Sequence, residues 1–272
     1  MRADPTDAVS ASMQATIAAE LDRIEAEEGV RILLAVESGS RAWGFHSPDS
    51  DYDVRFVYVR PVEWHLGLGE KRDVIERPID EELDISGWDL GKALRLALRS
   101  NAVIAEWLQS PIVYRADADA VADLTGFCRT ALSRRPVTWH YLSLLDRQQS
   151  RLTGPGGGIR LKRYFYCLRP ALALRWMRLN GSDMPPMDMA ALIAGCDLPE
   201  PLTASIAELT ARKKALSENG EEGGTLPDLD RLIAGERVAA QDWLATPHDD
   251  APRQDPLARA EAIHRRHVLA TP

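Results

Sequence analysis

Segments that favour β-strands occupy only the first third of this 272-residue chain, and segments that favour helices make up nearly all of the rest. After a helical segment at Ala11–Glu28, the apolar run Arg31–Val36 and the β-branched, aromatic run Asp51–Val59 predict two strands. Two weaker strands are expected at Asp73–Arg77 and Glu82–Ser86. Because strands and helices are segregated rather than alternating, the pattern favours an α+β fold over a series of βαβ units.

The second part of the chain is expected to be helical. The pattern predicts eight helical segments: Asp89–Arg99, Val103–Gln109, Ala116–Ser133, Thr138–Leu152, Leu161–Leu179, Ala190–Ile193, Leu202–Glu218 and Leu226–Leu244. A last short helix is expected to end near Val268. Pro170 lies inside one of them, where we expect a kink or a new helix start. The length allows two domains, and we place their boundary after residue 112.

The overall charge excludes one class of function. The chain has 33 Lys plus Arg and 41 Asp plus Glu, a net charge of −8. Proteins that coat nucleic acids without sequence preference are strongly basic, so this chain is not one of them. A nucleic-acid substrate stays open, because local basic patches can exist in an acidic protein.

Cysteine usage and hydropathy indicate the compartment. Cys128, Cys167 and Cys196 are 39 and 29 residues apart, which suits neither a zinc ribbon nor a disulfide framework. We expect all three to be buried as small apolar residues. The first 13 residues lack the apolar stretch of a secretory signal, and no run of about 18 apolar residues follows. We therefore expect a soluble, cytoplasmic protein with no membrane partner.

The most informative segment carries two carboxylates at the start of a predicted strand. Gly39 and Ser40 follow the first strand, and after ten residues come Asp51 and Asp53, which strand alternation directs to one side. Such close carboxylates repel unless a cation lies between them, and their hard oxygen donors suit Mg²⁺ or Mn²⁺. An Asp-x-Asp pair alone also occurs at solvated strand edges. A third acid, Asp84, on a later predicted strand makes a two-metal site the preferred interpretation.

Other metal-binding and phosphate-binding motifs fail. An EF-hand loop beginning at Asp49 would need Gly at its sixth position and Glu at its twelfth, where Val54 and Arg60 stand. The chain has no P-loop motif. His264 and His267 are three residues apart with no further ligand in register, so we interpret them as a solvated helix face.

The spacing of these residues resembles a known superfamily. The chain resembles the signature of the polymerase-β-like nucleotidyltransferases in one pattern. That pattern is Gly39-Ser40, ten intervening residues, Asp51-Tyr52-Asp53-Val54 and, later, Leu83-Asp84-Ile85. Three longer blocks between Glu37 and about Met177 resemble the RlaP-type predicted nucleotidyltransferases, which are named for their association with RNA 3′-terminal phosphate cyclase operons. The resemblance covers roughly half of the chain. The chain does not depart from the signature at Gly39, Ser40, Asp51, Asp53 or Asp84, which argues against an inactive homologue.

The resemblance implies a fold and a set of roles. It implies an N-terminal nucleotidyltransferase domain with a mixed sheet and flanking helices over residues 1–112, followed by a helical domain over residues 113–272. Asp51, Asp53 and Asp84 would be the catalytic residues and would ligate two Mg²⁺ or Mn²⁺ ions. Gly39 and Ser40 would hold the nucleoside triphosphate.

A basic segment offers further candidates for nucleotide binding. From Arg134 to Arg178 there are ten Lys or Arg and one acid, a net charge of +9. The spacing of Lys162, Tyr166 and Arg169 predicts that they share one helix face. We expect Lys162 to contact the triphosphate and Tyr166 to contact the nucleotide. Arg169 is expected to contact a phosphate or a carboxylate. A merely exposed basic helix is the alternative.

Two arginines near the carboxylates complete the candidate site. Arg41 directly follows the Gly39-Ser40 pair and is a second candidate for contacting phosphate. Arg55 lies two residues after Asp53, on the same predicted strand face, where it can pair with a carboxylate instead.

The sequence thus predicts an enzyme that transfers a nucleoside monophosphate from a nucleoside triphosphate to an acceptor hydroxyl and releases pyrophosphate. The acceptor is open between an RNA end, a small molecule and a protein. The alternative to an enzyme is a non-catalytic protein of the same fold that senses a nucleotide or RNA. The presence of all three carboxylates argues against this alternative. The donor base, the oligomeric state and the role of the last ~90 residues are also open.

Overall fold

The computed structural model describes residues 8–78, 82–152, 159–215, 221–222, 226–248 and 255–271. The chain divides into two compact units. The first contains residues 1–42, 51–132 and 252–272, and the second contains residues 43–50 and 133–251. The predicted boundary after residue 112 therefore differs from the observed division, because residues 113–132 and the C-terminal segment pack with the N-terminal unit.

The first unit is an α+β fold around a five-stranded mixed sheet. Its strands, in the order β3-β4-β2-β1-β5, are β1 (Arg31–Glu37), β2 (Tyr52–Val59), β3 (Val74–Glu76), β4 (Leu83–Asp89) and β5 (Val113–Ala116). Strands β2 and β4 are parallel, and the other neighbouring pairs are antiparallel. This confirms the predicted fold class and the four predicted strands.

Helices accompany this sheet, and the first of them forms as its sequence predicts. The helices are α1 (Ala11–Glu28), α3 (Val62–Leu66), α4 (Leu90–Leu98), α5 (Ala102–Trp107), α6 (Ala118–Ala131) and α12 (Pro256–Leu269), and the short α2 (Ser40–Trp43) spans the division between the units. The Ser10 side chain caps α1, and Gly29 ends it in the left-handed conformation at φ 60°. The buried residues of α1 pack on the sheet, which accounts for their helical spacing.

Strand β5 was not predicted. It has four residues and lies at the edge of the sheet, where it pairs antiparallel with β1. Val113 at its start is exposed, so β5 lacks the alternation of apolar and polar residues that marks a half-buried strand. Its conformation is decided by backbone hydrogen bonds to β1 rather than by local sequence.

The second unit is helical within its described residues, as predicted. Its elements are α7 (Arg134–Gln149), β6 (Ile159–Arg160), α8 (Leu161–Asn180), α9 (Met189–Ala194), α10 (Glu200–Ala215), β7 (Glu221–Glu222) and α11 (Pro227–Ala245), with β6 and β7 paired antiparallel. The predicted end of the seventh helix, residues 216–218, lies outside the described residues. Helix α8 continues through Pro170, so it does not restart there.

Three smaller expectations can also be compared with the structure. All three cysteines are buried, as expected, and burial raises the pKa of each thiol to about 12. The interpretation of His264 and His267 as a solvated face is wrong, because His267 is buried against Asp123 and the His264 ring packs edge-on against His65. In the part of the chain that the structure describes, no helix is both long and apolar enough to cross a membrane.

Candidate functional site

The parallel pairing of β2 and β4 brings two of the predicted carboxylates together. Asp53 and Asp84 are register partners on these neighbouring strands. Asp51 immediately precedes β2, and its side chain is exposed. The antiparallel strand β1 ends at Glu37 beside the start of β2, so the Gly39-Ser40 turn lies next to Asp53. The fold of the first unit thus gathers the predicted turn and carboxylates at one end of the sheet.

Arg55 links the two carboxylates. One Arg55 Nη donates to Asp84 Oδ2 at 2.7 Å and to Asp53 Oδ1 at 3.4 Å. The other donates to the backbone carbonyls of Val54 and Asp84, each at 2.9 Å. The predicted pairing of Arg55 with a carboxylate is therefore confirmed. The guanidinium neutralises part of the charge that would otherwise drive Asp53 and Asp84 apart.

Gly39 lies directly against the Asp53 carboxylate. A Cβ atom at position 39 would be 1.8 Å from Asp53 Oδ2 and 2.6 Å from its Cγ, far inside the contact distance of about 3.5–4.0 Å between carbon atoms. Only glycine leaves the carboxylate where it is. The observed position of the Asp53 carboxylate therefore requires glycine at position 39.

Glu37 is a site residue that the sequence analysis did not single out. It is fully buried, and its two carboxylate oxygens accept from the Asp53 backbone N–H at 2.8 Å and the Tyr114 hydroxyl at 2.6 Å. Burial raises the pKa of Glu37, and the Asp53 charge acts in the same direction, whereas the two hydrogen bonds lower it. The sequence feature that could have identified Glu37 is its place as an acidic residue at the end of an otherwise apolar strand. Glu37 holds the Asp53 backbone in place from beneath the site.

Ser40, the second residue of the turn, and Arg41 are the first residues of α2, and both are buried. Arg41 donates to the Asp51 carbonyl at 3.2 Å and to the Ala8 carbonyl at 2.8 Å, and its guanidinium stacks on the Tyr52 ring at 3.8 Å. These contacts hold the segment before β2 in place. The expected contact of Arg41 with phosphate stays a prediction, as does the phosphate role of Ser40.

The three candidates on α8 belong to the second unit. Lys162 and Tyr166 are half-buried, and the Tyr166 ring makes an edge contact with Trp43 at 5.2 Å. Arg169 is buried, donates to the Met187 carbonyl at 3.1 Å and lies over the Trp43 ring at 4.7 Å. The contacts of Arg169 give it a packing role inside the second unit. The expected nucleotide contacts of all three residues stay predictions.

The basic segment is less of a free cationic surface than its composition indicates. Arg175 and Arg178 both pair with the buried Glu236, at 2.8 Å each. Arg134 and Arg135 donate to backbone carbonyls, of Met177 and Leu244 respectively, at 2.6 Å. Much of the positive charge of this segment therefore stabilises the helical unit itself.

The carboxylate set can be compared with what a divalent cation requires. Carboxylate oxygens are the donors that Mg²⁺ and Mn²⁺ prefer, and the Arg55 guanidinium already places positive charge between Asp53 and Asp84. Among the described residues, however, no three His, Cys, Asp or Glu side chains form a group that could hold an ion. The donor chemistry thus fits a divalent cation, and Arg55 contacts both Asp53 and Asp84 where such a cation would lie.

Three comparisons relate the chain to known proteins. Residues 13–264 match a family model described as RlaP, RNA repair pathway DNA polymerase beta family. The uncharacterized protein YcgL of Bacillus subtilis strain 168 is 43% identical over 210 residues, which cover 77% of this chain and 78% of that protein. The crystal structure of a nucleotidyltransferase-like protein from Exiguobacterium sibiricum 255-15 covers 84% of this chain and 74% of its own, at 14% identity and a TM-score of 0.30. The range matched by the family model contains every candidate residue described above.

Proposed function

This chain belongs to the RlaP family, an RNA repair pathway DNA polymerase beta family, and on that basis we propose that it is a metal-dependent nucleotidyltransferase. In the reaction, an acceptor hydroxyl attacks the α-phosphorus of a nucleoside triphosphate, the bond to the β-phosphate breaks, and pyrophosphate leaves. The observation that carries the proposal is the close approach of Gly39 to the Asp53 carboxylate, beside the register partner Asp84. A purely structural strand end has no need of an aspartate pressed against a glycine turn.

The residues of the first unit supply position and charge for this reaction. Asp51 and Asp53 would hold Mg²⁺ or Mn²⁺, two ions in all, and Asp84 would complete the set when Arg55 releases it. The bound ions would neutralise the phosphates and lower the pKa of the acceptor hydroxyl. Gly39 and Ser40, without bulky side chains, would let the backbone approach the triphosphate closely. Glu37 would keep Asp53 in place through its backbone N–H.

We propose an RNA end as the acceptor. The family description, which places the family in RNA repair, supports this choice. Adenylyl transfer to a small molecule or to a protein, and nucleotide or RNA sensing without catalysis, are the competing functions. If RNA is the acceptor, RNA binding should weaken steeply as salt concentration rises, because contacts to phosphates release counterions.

An incorporation assay tests the proposal. The full chain is incubated with ATP, GTP, CTP or UTP labelled at the α-phosphate, in Mg²⁺ or Mn²⁺, with total RNA and total protein as acceptors. We expect label in RNA, lost on removal of divalent ions by a chelator and in an Asp51→Asn/Asp53→Asn variant. Label in protein would replace RNA with a protein acceptor. Nucleotide binding without transfer to any acceptor, including small-molecule pools, would favour a sensor.

Arg55 gives a prediction that does not depend on turnover. Because the guanidinium and a divalent cation compete for the same carboxylates, Arg55→Gln is expected to tighten Mn²⁺ binding by roughly 3- to 10-fold, the worth of one or two partly exposed ion pairs. Titration of Mn²⁺ followed by electron paramagnetic resonance measures this affinity. Arg72→Gln, which removes an exposed ion pair with Glu76, is the matched control. An unchanged or weaker Mn²⁺ affinity in Arg55→Gln would show that Arg55 does not occupy the place of a cation.

A further inference from the structure

The edge strand β5 and the residues just before it hold Glu37, the buried acid at the end of β1. Ser110 Oγ donates to the Glu37 carbonyl at 2.6 Å, and the Glu37 N–H donates to the Ile112 carbonyl at 3.0 Å. The Tyr114 hydroxyl donates to the Glu37 carboxylate at 2.6 Å. Both the backbone and the side chain of Glu37 are therefore fixed by a segment that lies 73 to 77 residues later in the chain.

The Glu37 side chain takes the place of a backbone partner where the pairing of β1 with β2 ends. Glu37 and Val54 form the last register pair of the two strands. The preceding residue of β2, Asp53, donates its N–H to Glu37 Oε1 at 2.8 Å instead of to a strand carbonyl. The position of the Asp53 backbone is therefore set in part by a side chain, and that side chain is held in turn by Tyr114.

Tyr114 lies at an irregularity in the pairing of β5 with β1. Regular antiparallel pairing would bring Tyr114 opposite Val36, but Val36 pairs with Val113 because the register shifts at this point. Tyr114 is thus an extra residue in β5. Such bulges are common at sheet edges and beside active sites, where they redirect a side chain. The Tyr114 ring packs against the hydrophobic core, and its hydroxyl reaches Glu37.

The hydroxyl of Tyr114 is suited to hold a buried carboxylate. Burial raises the pKa of Tyr114, and the Glu37 charge and their hydrogen bond act in the same direction, so the hydroxyl keeps its proton and donates. Glu37 is fully buried, with one of these two hydrogen bonds at each carboxylate oxygen. Removing the Tyr114 hydroxyl would leave one oxygen of a buried carboxylate without its donor, which is costly and favours a reorientation of the side chain.

We propose that Tyr114 is a positioning residue for Asp53 and acts through Glu37. The inference rests on the proposed function, because the position of Asp53 matters to the reaction only if its carboxylate holds a divalent cation. Groups that orient a metal ligand from behind commonly contribute about 10- to 100-fold to metal affinity or activity. The edge strand, which has little local preference for its conformation, thus supplies a side chain to the carboxylate end of the sheet.

Tyr114→Phe tests the assignment, because it keeps the ring and the backbone pairing and removes only the hydroxyl. We expect faster exchange of the Asp53 amide hydrogen, measured by nuclear magnetic resonance. Mn²⁺ affinity and kcat at saturating metal and nucleotide should each fall about 10-fold. Tyr164→Phe is the matched control, because it removes a buried hydroxyl that donates to Asp230 at 2.7 Å in the second unit. It is expected to lose comparable thermal stability and to keep the other three quantities unchanged.

A double variant tests whether Tyr114 acts through Glu37. Glu37→Leu removes the acceptor, so adding Tyr114→Phe to it should lower Mn²⁺ affinity little further. Glu37→Gln keeps an oxygen that can accept from the Asp53 N–H and is expected to lose less than Glu37→Leu does.

Several results would overturn the assignment. One is an unchanged Mn²⁺ affinity and kcat in Tyr114→Phe, even with faster amide exchange, since Tyr114 would then be only structural. Another is a double variant whose loss equals the product of the Tyr114→Phe and Glu37→Leu losses. Failure of the proposed function is distinguishable, because the unaltered chain itself would then neither bind Mn²⁺ nor transfer nucleotide, and the positioning role would fall with it.

Discussion

Replacing Asp53 with Asn is expected to reduce nucleotide incorporation by at least about 10³-fold while the protein stays folded. The substitution keeps the shape of the side chain and leaves the backbone N–H that donates to Glu37 in place. It removes the negative charge that would hold a divalent cation and therefore the electrostatic stabilisation of the transferring phosphate. The substitution removes the repulsion of Asp53 from Asp84 and Glu37 and also its 3.4 Å ion pair with Arg55, so we expect the stability of the metal-free protein to change little.

Single-turnover incorporation from labelled nucleotide, together with thermal unfolding, measures both parts of this expectation. Asp119→Asn removes one carboxylate from an exposed position in the first turn of α6 and is the matched control for overall charge. It should incorporate nucleotide at the unaltered rate. A folded Asp53→Asn protein with near-normal incorporation would contradict the assignment of the catalytic carboxylates.

Gly39→Ala should be nearly as damaging, although it removes no functional group. The new Cβ would lie 1.8 Å from Asp53 Oδ2, so the carboxylate or the turn must move by more than 1 Å. A displacement of that size at a reacting centre costs on the order of 10²-fold in rate. We therefore expect at least that loss in kcat, with the secondary structure retained. Gly235→Ala, at a helical position with open space around it, is the control.

A double variant identifies the cause of the Gly39 effect. If alanine at position 39 acts by displacing Asp53, then adding it to Asp53→Asn should lower incorporation little further, because residues that act as a unit are not additive. If the loss of incorporation in the double variant equals the product of the losses in the two single variants, then Gly39 acts independently of Asp53, for example through the triphosphate alone. Circular dichroism of all three variants establishes that the comparison is made among folded proteins.

Much of the first unit could be predicted because its signals are local. The helical spacing of Ile17, Leu21 and Ile24, with Gly29 behind them, identifies α1 and its end without any tertiary information. The apolar run of β1 and the aromatic, β-branched run of β2 indicate strands in the same way. Strand β5 could not be found by this route, because an exposed edge strand is defined by its hydrogen bonds to β1, 77 or more residues earlier in the chain.

The sequence alone predicted most of the elements and selected Gly39, Asp51, Asp53 and Asp84 as candidates, because periodicity and short spacings are properties of neighbouring residues. Tertiary structure decided how those residues meet. The parallel register of β2 and β4 placed Asp84 beside Asp53 and brought Arg55 between them. It also buried Glu37 beneath the site and joined α12 to α3 and α4 around a cavity. Those contacts depend on strand pairing and helix packing between distant segments, where the free energy of burial and backbone pairing outweighs local preference.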